Sequence, residues 1–227
     1  MLKHREINFT IDYFDKNKKK RGEEPCSITV HSEGQRVIRA TSKIFETEII
    51  RDVIYTVDIN FNPIDCFIKI RQYDKFISST YFSFTENCIY MNGINSKKIF
   101  ISKNKKTKPI KSFISHAVAA DVWHSANIIK NIDKGVQNIT PIFSSSPLPN
   151  GASDSDIYQW DLKAKFIKLT EIETPAGIFV AEHIQYFEKD NSLWLEMWCT
   201  NDSDRIMLKM YYPVYNTFYI LNNLDRN

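Results

Sequence analysis

The chain has 227 residues, of which 43% are hydrophobic and 25% charged, with 15 Phe and 11 Tyr; this excludes a disordered polymer and suits one β domain with a sizeable core. With 30 basic against 27 acidic residues the net charge is only +3, so no nucleic-acid partner is expected. No window approaches the roughly 18 apolar residues of a membrane span, and Met1-Leu2-Lys3-His4-Arg5-Glu6 is followed by no apolar core of signal-peptide length. The expectation for the chain as given is therefore a cytoplasmic protein without a membrane span.

The basic run 16–21 contains Asn17 and adjoins Gly22, so it reads as a solvated loop tip, and the run 103–108, beside Pro109, reads the same way. Strand-like runs cover 28–31, 36–42 and 44–50. Val53, Tyr55, Val57 and Ile59 then alternate with mostly polar neighbours. After Asn60-Phe61-Asn62-Pro63 the alternation resumes as Ile64, Cys66, Ile68 and Ile70, giving a strand, turn, strand unit. Runs 76–84, 88–91 and 98–102 continue a meander of short hairpins joined at residues such as Gly34, Asn92-Gly93 and Asn95-Ser96. Residues 113–132, rich in Ala and Val with few turn formers, are the best helix candidate. A loop or flap follows at 141–156, and strand patterns resume at 157–172, 177–187, 192–200, 205–212 and 216–221. No repeat is present, and 1–227 reads as a single domain. Cys26, Cys66, Cys88 and Cys199 lie far apart, without metal-ligand or redox spacing, and read as reduced core residues.

A meander of about eight to eleven strands cannot stay flat, because strand twist curls it. The predicted fold class is mainly β: a single curled antiparallel sheet, forming a half-barrel, a lipocalin-like barrel or a sandwich, with one covering helix or helical segment. Two stretches carry a family resemblance. Tyr55-Thr56-Val57-Asp58-Ile59-Asn60-Phe61-Asn62-Pro63 is a strand entering a turn that ends in proline. Glu173-Thr174-Pro175-Ala176-Gly177-Ile178-Phe179-Val180-Ala181 is a hairpin followed by the Trp-bearing Leu193-Trp194-Leu195. In these the chain resembles uncharacterised bacterial half-barrel domains akin to lipoprotein-localisation factors and, more distantly, lipocalins. The resemblance implies a sheet wrapped around a hydrophobic groove and a carrier of lipid-like molecules; it brings no catalytic residues.

Chemistry concentrates in the segment from Ser115 to His124, which holds two of the five histidines, a carboxylate and a tryptophan. On a helix His116, Ala120 and His124, with Asp121 beside them, would share a face, and histidine beside a carboxylate is the arrangement of general acid-base catalysis. Local hydrogen bonding or solvent exposure is the plainer account of these histidines. Metal binding is not indicated, since His116 and His124 stand two turns apart. His183 falls on an alternating strand whose inward face the pattern does not decide. Trp194 and Trp198 flank Glu196 on one strand face and could stack on a planar ligand that the carboxylate hydrogen-bonds, although plain packing explains such pairs more often. Arg39, Arg71 and Arg205 lie at or in strands, where a guanidinium could meet a ligand carboxylate. Phosphate loops, nucleophile elbows and dinucleotide fingerprints are missing and only six glycines are present, so no cofactor is expected.

The leading expectation is a binder of a hydrophobic or amphipathic small molecule, with Tyr55, Phe82, Phe84, Trp123, Trp194, Glu196 and Trp198 around it. The alternative is a cofactor-independent lyase, isomerase or cyclase in which His116, Asp121, His124 or His183 moves a proton on a hydrophobic metabolite. Docking of a protein on a sheet edge is a third option, and a homodimer stays open.

Overall fold

The computed structural model describes residues 4–226. Seventeen strands follow one another: β1 (Arg5–Phe14), β2 (Lys20–Val30), β3 (Arg36–Ile44), β4 (Ile49–Val57), β5 (Pro63–Gln72), β6 (Lys75–Thr85), β7 (Cys88–Ile94), β8 (Phe100–Lys106), β9 (Ser112–Ile114), β10 (Gln137–Asn138), β11 (Ile142–Ser144), β12 (Tyr158–Trp160), β13 (Lys163–Thr174), β14 (Gly177–Phe187), β15 (Leu193–Thr200), β16 (Met207–Tyr212) and β17 (Thr217–Arg226). Fourteen form one sheet in the order β10-β13-β14-β15-β16-β17-β1-β2-β3-β4-β5-β6-β7-β8. Its pairings are all antiparallel among the described residues. The protein is mainly β, as its sequence predicts, and the sheet is barrel-like but unclosed, with β10 and β8 as its edges.

Alternation is the reason these segments are strands. Ile7, Phe9, Ile11 and Tyr13 of β1 point inward with Cys26, Ile28 and Val30 of β2 and Val53, Tyr55 and Val57 of β4, and all are buried. Bulges curl the sheet: the register slips at Thr10/Ile11 in β1, at Ile70/Arg71 in β5, and between Phe166 and Lys168 in β13, each adding local twist. The run 103–108 departs in part from its loop reading, since β8 contains Lys103, Lys105 and Lys106 and is a sheet edge, while Lys108 lies beyond it. Lysines there discourage strand addition by another chain. Lys103 pairs with Asp156 at 2.6 Å, and Lys105 sits over the Phe143 ring.

Between β8 and β13, apart from the short edge strand β10, the chain leaves the sheet and fills the space inside it. This plug carries a small second sheet, β12-β11-β9, and a 3₁₀ helix at Val118–Ser125. The predicted helical segment is thus present but shorter: Ser112–Ile114 is strand, and only Val118–Ser125 is regularly helical. Phe113 and Trp123 of the plug meet Tyr55, Phe61, Phe82 and Phe84 of the wall, with ring centroids 4.9–6.4 Å apart. Two buried carboxylates on the inner wall fasten the plug. Glu24, fully buried, accepts from the Val118 and Ala119 backbone N–H groups at 3.2 and 2.9 Å, from Tyr13 Oη at 2.8 Å and from Ser42 Oγ. Glu182, also fully buried, binds Arg205 at 2.8 Å and Lys130, while Arg205 donates to Ser125 Oγ at 2.9 Å. All four cysteines are buried and free.

Candidate functional site

An antiparallel meander puts every second turn on the same rim. The turns after β1, β3, β14 and β16 share one rim, and there the plug leaves a cavity of about 420 Å³. Its apolar side is built by Trp194 and Leu195 of β15, Met210 and Tyr212 of β16, Val214, Tyr215 and Tyr219 beyond them, and Ile44 and Leu148 opposite. Its polar side holds Tyr13, Arg21, Thr47, Arg51, His116 and Asp121. A second groove, between Ile178, Val180 and Leu224, opens widely to solvent and contains none of the buried polar atoms that lack a hydrogen-bond partner. Four of the residues lining the rim cavity carry such an atom: Thr47 Oγ1, Arg51 Nε, His116 Nε2 and Asp121 Oδ1.

Local chemistry explains how each reaches the cavity. Arg51 occupies an inward position of β4, in phase with Val53, Tyr55 and Val57, so its side chain is 3% exposed. Its Nη1 donates to the Asn150 carbonyl at 3.2 Å, and its Nη2 lies 3.9 Å from Glu24. Arg21 is tied to Thr217 at 2.7 Å and Glu46 at 2.6 Å. His116 does not belong to the helix. Its φ of +63° is a left-handed turn that costs a non-glycine residue about 1–2 kcal/mol. Burial, assisted by the positive charge of Arg51, holds His116 neutral down to a pKa of about 3.

Asp121 and His124 do share a face, because residues three apart eclipse in a 3₁₀ helix. His124 Nε2 lies 3.3 Å from Asp121 Oδ1, too obliquely for an aligned hydrogen bond, and His124 Nδ1 hydrogen-bonds Ser112 Oγ. Burial raises the Asp121 carboxyl above its ordinary pKa against the opposing pull of His124. The carboxylate faces the cavity while serine and histidine stand behind it, the reverse of a serine hydrolase.

The other predicted site residues are distributed differently. Tyr55, Phe82 and Trp123 are fully buried in the aromatic core between the wall and the plug, and Phe84 packs on Phe113 there; none lines the cavity. Trp194 and Trp198 do not share a face. The register jumps from Tyr186↔Leu195 to Phe187↔Leu193, so Trp194 is the extra residue of a bulge and swings to the cavity, where it meets Tyr212 edge-on at 6.3 Å. Trp198 and Glu196 stay on the convex face with His183. There the His183 ring stacks on Trp198 at 4.4 Å, its Nε2 is 3.6 Å from Glu196, and Glu182, Ile184 and Tyr186 take the inward positions of β14. Of the arginines singled out from sequence, Arg39 and Arg71 are exposed and Arg205 belongs to the Glu182 anchor. Arg51, Arg21 and Thr47 were not singled out. A charged residue in phase with an apolar stripe, as Arg51 is with Val53-Tyr55-Val57, is the signal that finds the first of them.

The segment from Ser144 to Asp156 closes the cavity on one side. It is a hydrogen-bonded turn cluster: Trp160 Nε1 donates to Ser144 Oγ, Ser146 Oγ bonds Ser153 Oγ, and Leu148 N donates to Ser146 Oγ, at 2.7–3.0 Å. Gly151, with φ +73°, presses on His116, so that a Cβ there would stand 3.0 Å from the imidazole Cγ. Gly151→Val is expected to cost about 1–3 kcal/mol in a urea titration, through strain at positive φ and displacement from His116. A loss under about 0.5 kcal/mol would mean that the turn is not pressed against the ring.

This geometry defines a class: an open antiparallel β barrel whose interior is plugged by its own chain except for a cavity at one rim. No known family and no curated protein matches the sequence. Among solved structures the chain is similar to a β-barrel-like protein of a domain of unknown function, DUF1849, from Brucella abortus, with a TM-score of 0.50, 11% identity, and coverage of 100% of this chain and 98% of that one. Looser similarities join it to a candidate lipoprotein of Parabacteroides distasonis (TM-score 0.32, 10% identity, 96% and 94% covered) and a candidate exported protein of Bacteroides fragilis with a YmcC-like fold (0.29, 9%, 97% and 95%). The first of these places the chain among uncharacterised bacterial β-barrel-like folds. No helix of the described residues is long and apolar enough to cross a membrane.

Proposed function

We propose that the protein holds a hydrophobic or amphipathic small molecule in the rim cavity. The observation that carries this reading is a space of about 420 Å³ lined by Trp194, Leu195, Met210 and Tyr212 on one side and by unpartnered polar atoms on the other. That size falls within the roughly 300–1,000 Å³ of small-molecule sites, and burial of apolar ligand surface contributes about 25 cal/mol per Å². The resemblance to lipoprotein-localisation factors and lipocalins supports a carrier, as an analogy of fold. The four free cysteines support a reducing, cytoplasmic setting.

Native mass spectrometry of freshly purified protein, followed by organic extraction, tests this. A stoichiometric lipophilic compound is expected, and Trp194→Ala should weaken its retention roughly tenfold or more. Clean protein from several hosts, with no thermal shift from any amphiphile, would end the carrier reading.

A second reading, proton transfer on a bound hydrophobic metabolite, is favoured by one further feature: neutral His116 and the His124-backed Asp121 line the same space. It predicts that Asp121→Asn abolishes turnover of the extracted compound while leaving its affinity within about twofold.

A further inference from the structure

We infer that the ligand of the rim cavity carries a carboxylate, seated on Arg51 with Thr47 beside it; this rests on the binding reading above. A guanidinium has five N–H donors and cannot shed its charge, so a buried one needs an acceptor and a countercharge. Arg51 is 3% exposed, yet its Nε has no partner and its Nη1 reaches only a backbone carbonyl, at 3.2 Å. The nearest carboxylate, Glu24, stands 3.9 Å from Nη2 and is already committed to Tyr13, Ser42 and two backbone N–H groups.

Of the two acids that line the cavity beside Arg51, Asp121 lies 3.3 Å from His124 and burial favours its neutral form, while Glu188 is exposed to solvent. Arg21 is paired outward with Glu46. The cavity therefore offers a cation with spare donors, flanked by the unpartnered Thr47 Oγ1. A planar carboxylate matches the fork of a guanidinium and leaves the rest of the molecule to the wall of Trp194, Met210 and Tyr212. An ammonium head would find aromatic rings but also the repulsion of Arg51.

Calorimetric titration with decanoate, decanol and decyltrimethylammonium separates these cases, since the three share one chain length. Decanoate should bind roughly 10- to 100-fold more tightly than decanol, as expected of hydrogen bonds to a charged group. Arg51→Gln should erase that advantage, bringing decanoate down to the affinity of decanol. If Arg51→Gln fails to fold, Arg51→Lys, which keeps the charge without the fork, should reduce the advantage without removing it. Equal binding of decanoate and decanol would overturn the carboxylate assignment and leave small-molecule binding standing. Tightest binding of the ammonium would overturn it in favour of a cation site. Binding of none of the three would bring down the binding reading and the assignment with it.

Discussion

Glu24→Leu is expected to lower the free energy of unfolding by about 3–5 kcal/mol, the range seen when one partner of a buried charged network is removed. The substitution leaves five donors facing an apolar side chain: the Tyr13 and Ser42 hydroxyls, the Val118 and Ala119 amides and, more weakly, the Cys26 thiol. Each orphaned buried donor costs about 1–3 kcal/mol, and local relaxation keeps the total below their sum. The two amides open the 3₁₀ helix of the plug and have no acceptor within it, so Glu24 joins the plug to the β1–β4 wall. Arg51 would lose its nearest countercharge as well. Urea titration followed by circular dichroism gives the number. A loss below about 1 kcal/mol would show that the plug is held by aromatic packing alone, through Phe113 and Trp123.

Much of the fold was legible because the signal for a half-buried strand is local. Val53-Tyr55-Val57 and Leu195-Met197-Cys199 read as strand faces and are inner faces of the sheet. The alternation Ile7-Phe9-Ile11-Tyr13 is equally plain, although the basic start of the chain directs attention to export rather than to a first strand. What stayed hidden is non-local. The pairing of β17 with β1, which brings the two ends of the chain together, leaves no mark in either segment. A lysine-rich edge strand has the composition of a loop, because both must resist burial and pairing.

The candidate site was legible in its members more than in its arrangement. His116 and Asp121 stand out by residue type and Trp194 by size, and all three line the cavity. The geometry that unites them comes from backbone departures that periodicity does not encode: a left-handed residue at His116, a period of three instead of 3.6 along Val118–Ser125, and a bulge that turns Trp194 but not Trp198 inward. Arg51 and Glu24 were readable on a different principle. Both are charges in the inward phase of otherwise apolar strands, and such positions persist only when a partner awaits them.

Acidification should destabilise the protein through His116, with the loss beginning well above the carboxylate range. The folded state holds this imidazole neutral to about pH 3, whereas an unfolded histidine protonates near its ordinary 6.5. Between those values the unfolded chain binds more protons, so the contribution is fully present above about pH 6.5 and is lost as pH falls toward 3. At about 1.36 kcal/mol per unit, some 2–3 kcal/mol should be gone by pH 4.5 and roughly 5 by pH 3. The lowered carboxyls of Glu23, Asp156 and Asp202 act in the same direction but only below their ordinary values of 4.5 and 3.8. His183, lowered by partial burial, adds to the loss, whereas Asp121, raised by burial, gives the opposite slope. Those groups remain in His116→Asn, whose side chain tolerates the left-handed backbone and does not titrate. Stability of the variant, measured by urea titration at each pH, should be flatter than that of the unsubstituted protein by about 2–3 kcal/mol between pH 6.5 and 4.5. Parallel curves would mean that His116 gains access to water before the protein unfolds, which would require the turn at Asn150–Gly151 to open as a unit in the folded state.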